Sequence, residues 1–136
     1  MSEPRIRLLL VEDEGIIALA GRLKLESLGI DVVGTASTGT KACEIALQLR
    51  PDIILMDIKL KGEMSGIEAV RAIHREVYIP VLYTSAYDDK EIIELAASTR
   101  HEGIISKPVE FEDLLTRLHR IKDRSRQEKD RSVPFE

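Results

Sequence analysis

Cysteine is all but missing from this sequence. Cys43 stands alone among 136 residues, so no internal disulfide and no cysteine-based zinc site can form. Long apolar runs are missing as well: none reaches the roughly 18 residues of a membrane-spanning helix. The start, Met1-Ser2-Glu3-Pro4, lacks the basic-then-apolar order of a secretory signal. There is no excess of positive charge, since 20 Lys+Arg stand against 24 Asp+Glu for a formal net charge of −4. Grasping nucleic acid by neutralising its phosphates is therefore a poor fit. Internal repeats and low-complexity segments are absent. His74, His101 and His119 are scattered, without acidic partners at ligand spacing, and read as surface residues. These absences predict a reducing, cytoplasmic setting, with no membrane and no direct nucleic-acid contact.

What is present suits a soluble globular domain. Apolar residues make up 43% and charged residues 32% of the chain, which excludes wholesale disorder. The length corresponds to one domain, at about 100–200 residues per domain. It suffices for a core that needs no disulfide or metal.

Two periodicities alternate along the chain. Residues 6–11, 31–36, 52–56, 79–84 and 103–106 read as short strands. Between and after them, apolar residues recur at helical spacing. Ile16, Leu19, Ala20 and Leu23 mark the first helix, and Gly29 follows where a positive φ ends it. Ala42, Ile45, Ala46 and Leu49 mark the second, closed by Pro51, because the residue before proline resists helical dihedrals. Ser65 and Glu68 form a capping box before Ile67, Val70 and Ile73, and Asp88 with Glu91 repeats that pattern before Ile92, Leu95 and Ala96. Phe111, Leu114, Leu115, Leu118 and Ile121 mark the last helix. Five βα units predict a parallel, doubly wound α/β sheet with helices on both faces. Almost wholly apolar strands at 6–11 and 52–57 agree with burial on both sides.

Ligand sites in such sheets lie beyond the carboxyl ends of the strands. Glu12 and Asp13 follow the first strand, Asp57 ends the third, Thr84 and Ser85 follow the fourth, and Lys107 with Pro108 follows the fifth. The second contributes only Thr35 and Ser37. Three carboxylates on one edge are unfavourable without a cation. A lysine supplies one charge, and a hard divalent ion such as Mg²⁺, which takes carboxylates, waters and a phosphate, would supply more. That set suits phosphoryl transfer onto a carboxylate. Asp57, alone on a strand expected to be central, is the natural nucleophile. Glu12 and Asp13, adjacent on a turn, are better placed to hold the metal.

Four stretches, LLLVEDE (8–14), PDIILMDIKLKGEMSGIEA (51–69), PVLYTSAYDD (80–89) and GIISKPV (103–109), together resemble the receiver domain of two-component response regulators, over residues 5–122. The resemblance implies a flavodoxin-like (βα)₅ three-layer sandwich with strand order 2-1-3-4-5; beyond it, the charged residues 123–136, almost without apolar side chains until Val133, read as a helix extension or linker. It implies that Asp57 accepts a phosphoryl group from a histidine kinase or phosphotransfer protein. Asp13 would then be a direct Mg²⁺ ligand, Glu12 a ligand through water, and Lys59 a ligand by its backbone carbonyl. Ser85 matches the switch hydroxyl and Thr84 its strand neighbour. Lys107 matches the lysine that contacts the phosphoryl group, and Lys107–Pro108 a frequent cis peptide. The expected role is a switch that assists its own phosphoryl transfer and dephosphorylation rather than a metabolic enzyme. Its partners would be the phosphodonor, a downstream protein or fused output domain, and a second copy through the fourth helix, fifth strand and fifth helix.

One departure stands out. Ile104 occupies the position where many family members carry an aromatic that turns inward on activation, and Tyr83 and Tyr87 are the nearby candidates to substitute for it. The loop after Asp57 carries two lysines, Lys59 and Lys61, instead of the shorter form with Met-Pro. The blander readings are an acidic helix start for residues 12–14, a turn residue for Asp57 and a solvated loop lysine for Lys107. The alternative function is a receiver-fold binding module that works unphosphorylated. A phosphatase with an aspartyl nucleophile fits less well, because Lys59 stands where its second acid would be.

Overall fold

The computed structural model describes residues 5–86 and 90–131. The start at 1–4, Tyr87, the Asp88 cap and the end of the tail lie outside the described residues. Strands β1 (Arg7–Val11), β2 (Asp31–Ala36), β3 (Ile53–Asp57), β4 (Val81–Ser85) and β5 (Ile104–Ser106) alternate with helices α1 (Gly15–Ser27), α2 (Gly39–Leu49), α3 (Gly66–Glu76), α4 (Lys90–Ala97) and α5 (Phe111–Arg131). All strand pairs are parallel, in the order β2-β1-β3-β4-β5. The predicted flavodoxin-like sandwich is the observed one.

The pleat sorts each strand between two cores. Leu9, Val11, Ile54, Met56, Val81 and Tyr83 pack under α2, α3 and α4. Leu8, Leu10, Ile53, Leu55 and Leu82 pack with Leu114, Leu118 and Ile121 of α5 on the opposite face. Alternate side chains leave a strand on opposite sides, so a sheet covered on both faces needs apolar residues throughout.

Local chemistry fixes the helix ends. Ser65 Oγ accepts from the Glu68 N–H, and the Glu68 carboxylate accepts from the Ser65 N–H, closing the predicted capping box. Gly29 has φ +89°, as expected. The end of α2 is less expected. Arg50, not a glycine, takes the left-handed conformation (φ 48°) just before Pro51. The Arg7 guanidinium donates to the Leu49 and Arg50 carbonyls at 2.8 and 2.9 Å, satisfying the last turn.

Two expectations shift, and one open alternative is resolved. The fourth strand starts two residues later than predicted, so Ser85 is its last residue and Pro80 precedes it; the Pro80 carbonyl still accepts from the Ile54 N–H. For the charged segment the helix extension, not the linker, is observed: the fifth helix continues to Arg131, with ion pairs from Lys122 to Asp52 and from Arg124 to Glu102 near the start of that segment. The stripe that marks α1 does not face the core. Ile16 is 87% exposed, Leu19 and Leu23 are exposed too, and only Leu25 of α1 is buried. Between α1 and α5 lies an apolar cleft of about 510 Å³, lined among others by Leu10, Ile17, Leu25, Phe111 and Leu114. Periodicity reveals a helix but not how closely its neighbour approaches.

Candidate functional site

Parallel strands deliver their carboxyl ends to one edge, and the acidic residues meet there. Glu12 follows β1 and donates its N–H to the Ala36 carbonyl of β2, which fixes the turn. Asp57 closes β3 opposite Thr84 of β4. Glu12 is 5% and Asp57 4% exposed. One carboxylate oxygen each from Glu12, Asp13 and Asp57 lies within 4.8 Å of the others.

Lys107 bridges this group. Its Nζ lies 2.6 Å from Glu12 Oε1 and 2.9 Å from Asp57 Oδ2. The Lys107 N–H donates to the Ser85 carbonyl at 2.7 Å, which fixes the backbone that carries the ammonium, and the Lys107–Pro108 peptide is cis. Asp57 Oδ1 accepts from the Lys59 N–H at 3.1 Å. Asp13 Oδ2 accepts from the Lys61 N–H at 2.9 Å, so the β3–α3 loop closes over the pocket.

These contacts set the charges. Burial pushes the Asp57 carboxyl up; Lys107 pulls it back and Glu12 pushes it further, leaving it above the ordinary carboxylate value. Desolvation works against the Lys107 ammonium, but its bonds to Glu12 and Asp57 outweigh that and raise its pKa. Asp13 is also pushed up by burial, yet the Lys61 N–H, the Glu12 bond and the Lys61 charge hold it below the usual value.

Of the remaining predicted residues, Ser85 is buried at the end of β4, with its carbonyl on Lys107. Thr84 points the other way, into the cleft beside α1. Ile104 sits half-buried beside Tyr83. His74 and His101 differ from the expected surface residues. Both are half-buried, with His74 Nε2 2.9 Å from the Ile79 carbonyl oxygen and His101 Nδ1 accepting from the Gly103 N–H. Cys43 is half-buried and desolvation pushes its thiol up, so it is poorly reactive.

Sequence reasoning missed Gly66. A Cβ there would stand 2.1 Å from the Asp57 carbonyl oxygen, so the α3 N-terminus presses directly on the backbone of the site. Its signal was the glycine just inside a capping box, where an ordinary helix former would serve. Gly66→Ala should destabilise the fold by about 1–3 kcal/mol through overpacking, read as a lower midpoint in urea. An unchanged midpoint would refute the close approach.

A doubly wound parallel sheet with three carboxylates and a lysine at its carboxyl edge defines the class. The profile described as the response regulator receiver domain matches residues 8–119, and the chain belongs to that family. Among curated proteins it is 28% identical over 121 residues to the transcriptional regulatory protein PdtaR of Mycobacterium tuberculosis, covering 89% of this chain and 58% of that one. It is 38% identical over 122 residues to a protein-glutamate methylesterase/protein-glutamine glutaminase of Alkalilimnicola ehrlichii, covering 87% of this chain and 30% of that one. The chain thus spans little more than half, or less, of these relatives. Among solved structures it resembles the signal receiver domain of a modulated diguanylate cyclase from Desulfovibrio desulfuricans, with TM-score 0.85 and 31% identity over 92% of this chain and 99% of that one. It also resembles the receiver domain of a sensor histidine kinase from Pseudomonas aeruginosa, whose active-site cleft coordinates a magnesium ion, with TM-score 0.80 and 26% identity over 88% and 99% of the two chains.

Proposed function

We propose that this receiver is a phosphorylation-controlled switch in a two-component phosphorelay, with Asp57 as the phosphoacceptor. The observation that carries this reading is the Lys107 ammonium bridging Glu12 and Asp57 on the edge where Asp13 also stands. Asp57 attacks the phosphorus of a phosphohistidine on a histidine kinase or phosphotransfer protein. The N–P bond breaks as the O–P bond forms. Lys107 is positioned to neutralise an equatorial oxygen, and Ser85 at the adjoining strand end to donate to another.

The donor set is all hard oxygen, which suits Mg²⁺. Asp13, Asp57 and the Lys59 carbonyl would hold it, with Glu12 acting through water, and the bound ion would supply charge neutralisation on the phosphoryl oxygens. The exposed Ile16, Leu19 and Leu23 of α1 begin just past Asp13 and offer the phosphodonor an apolar footing beside the acceptor. The chain's own residues assist phosphorylation and dephosphorylation, and the product is a changed surface rather than a metabolite.

The surface that changes is the face of α4, β5 and α5, where Ile93 and Leu95 are exposed. It is available to a downstream protein, an output domain or a second copy. In this reading residues 5–122 form the receiver unit and 123–136 its charged extension, and the partners place it in the cytoplasm. No helix among the described residues is long and apolar enough to cross a membrane.

The test is incubation with acetyl phosphate and MgCl₂, followed by intact mass. One phosphoryl group should be gained, and EDTA should prevent it. No gain with Mg²⁺ present would overturn the reading in favour of a module that works unphosphorylated.

A further inference from the structure

Ile104 carries neither a ring nor a polar group, so no hydrogen bond can run through its side chain to α4. Tyr83 lies directly across from Ile104, as its partner on β4. It is fully buried and packs on the α3–α4 side of the sheet. It stands two residues before Ser85 on the same strand, so both side chains share one face.

The Tyr83 hydroxyl lies 2.7 Å from Thr99 Oγ1. Thr99 Oγ1 also lies 2.7 Å from the Ala96 carbonyl oxygen. A threonine hydroxyl has one proton, and the Ala96 carbonyl can only accept. Thr99 therefore donates to Ala96, and Tyr83 donates to Thr99. A continuous chain runs from β4 to the last turn of α4.

That turn has few other anchors. α4 has eight residues and buries only Ile92 and Ala96. A second hydroxyl, Ser98 Oγ, donates to the Leu95 carbonyl and accepts from Arg71 of α3. Around Tyr83, the His101 ring stands edge-on at 5.2 Å, and the Tyr83 N–H donates to the Gly103 carbonyl. A buried phenol in such a closed place has no water to turn to if its partner leaves. Movement at the end of β4 must either carry Thr99 along or break the bond.

We propose that Tyr83, through Thr99, is the positioning residue that couples the state of Asp57 to α4. This rests on the phosphoryl-switch reading above and assigns the route by which the switch reaches its surface. Tyr83 contacts no reacting atom. Phosphoryl uptake itself should not depend on its hydroxyl.

The test compares amide hydrogen exchange across Lys90–Thr99 with and without beryllofluoride and Mg²⁺. The proteins are the wild type, Tyr83→Phe, Thr99→Val and Thr99→Ser. Fluorine NMR reports whether the phosphoryl mimic is bound. In the wild type the exchange rates of α4 should differ between the two states by about ten-fold, within the usual range of coupling between sites. Tyr83→Phe and Thr99→Val should bind the mimic yet lose that difference, and combining them should add nothing. Thr99→Ser keeps the hydroxyl and should restore it. A residue that merely supports the fold would speed exchange in both states and leave their ratio intact. If the wild type responds and both Tyr83→Phe and Thr99→Val respond in full, this coupling is overturned while the switch stands. If the wild type binds no mimic, the switch reading falls and the coupling with it.

Discussion

Asp57→Asn should take up no phosphoryl group from acetyl phosphate and Mg²⁺, and should nevertheless be the more stable protein. The first effect follows from removing the proposed phosphoacceptor, and incorporation should fall to background. The second follows from burial. Three carboxylates meet at the sheet edge, two of them, Glu12 and Asp57, share the Lys107 ammonium, and Asp57 is almost wholly enclosed. Burial first, and then the neighbouring Glu12, raise its pKa beyond what Lys107 takes back. A carboxyl that holds its proton more tightly in the folded chain than in the unfolded one stabilises the fold below the unfolded value. That contribution is lost as the pH rises through the folded value. At neutral pH the ionised Asp57 is therefore a burden on the fold. Asparagine keeps the shape and cannot ionise, and a gain of about 0.5–2 kcal/mol is the usual size of a single stabilising substitution. Urea melts in EDTA at pH 7 should show a higher midpoint for the variant. The difference should shrink on acidification, because the wild type then regains its proton. A variant equal to or weaker than the wild type at pH 7 would mean that Lys107 fully compensates the site.

Lys107→Ala should act in the opposite direction. The ammonium touches both Glu12 and Asp57, and truncation leaves two buried carboxylates facing one another. Removing one partner of a buried ion pair costs about 3–5 kcal/mol. The lysine side chain keeps some solvent access, which points to the lower end of that range. The acidic pocket should then depend on a cation from solution. Mg²⁺ at about 100 times its dissociation constant adds roughly 2.7 kcal/mol to a fold that binds it. The variant's melting midpoint in millimolar MgCl₂ should accordingly recover most of what it loses in EDTA. Phosphoryl uptake should slow by about 10²–10³, as for the loss of one preorganised donor to a developing charge. A variant as stable as the wild type in EDTA would show that Glu12 and Asp57 do not rely on this lysine.

Both predictions rest on residues that the sequence announced. Asp57 and Lys107 were legible because parallel sheets send every strand's carboxyl end to the same edge, so polar residues ending apolar runs must converge. The order of the strands, the capping box at Ser65 and the turn at Gly29 were legible for local reasons: a period of two, a hydroxyl three residues before a glutamate, and a glycine after an apolar stripe. The Lys61 N–H on Asp13 was not, because it joins residues 48 apart through a backbone group that any residue type carries. Gly66 was half legible. The sequence shows a glycine inside a helix start, while only the packed structure shows the Asp57 carbonyl against it.

The first helix marks the limit most clearly. Ile16, Leu19 and Leu23 recur at the spacing of a buried face, yet they stand in solvent beside an open cleft. Alternating apolar runs, turn residues and strand-end polar groups determined the fold, the edge on which the chemistry lies, and the residues that gather there. Packing alone decided how far α1 stands from α5, that one ammonium spans Glu12 and Asp57, and that Tyr83 reaches Thr99 beside Ile104. Each of these depends on distances between elements far apart along the chain. Periodicity along a single element carries no record of such distances.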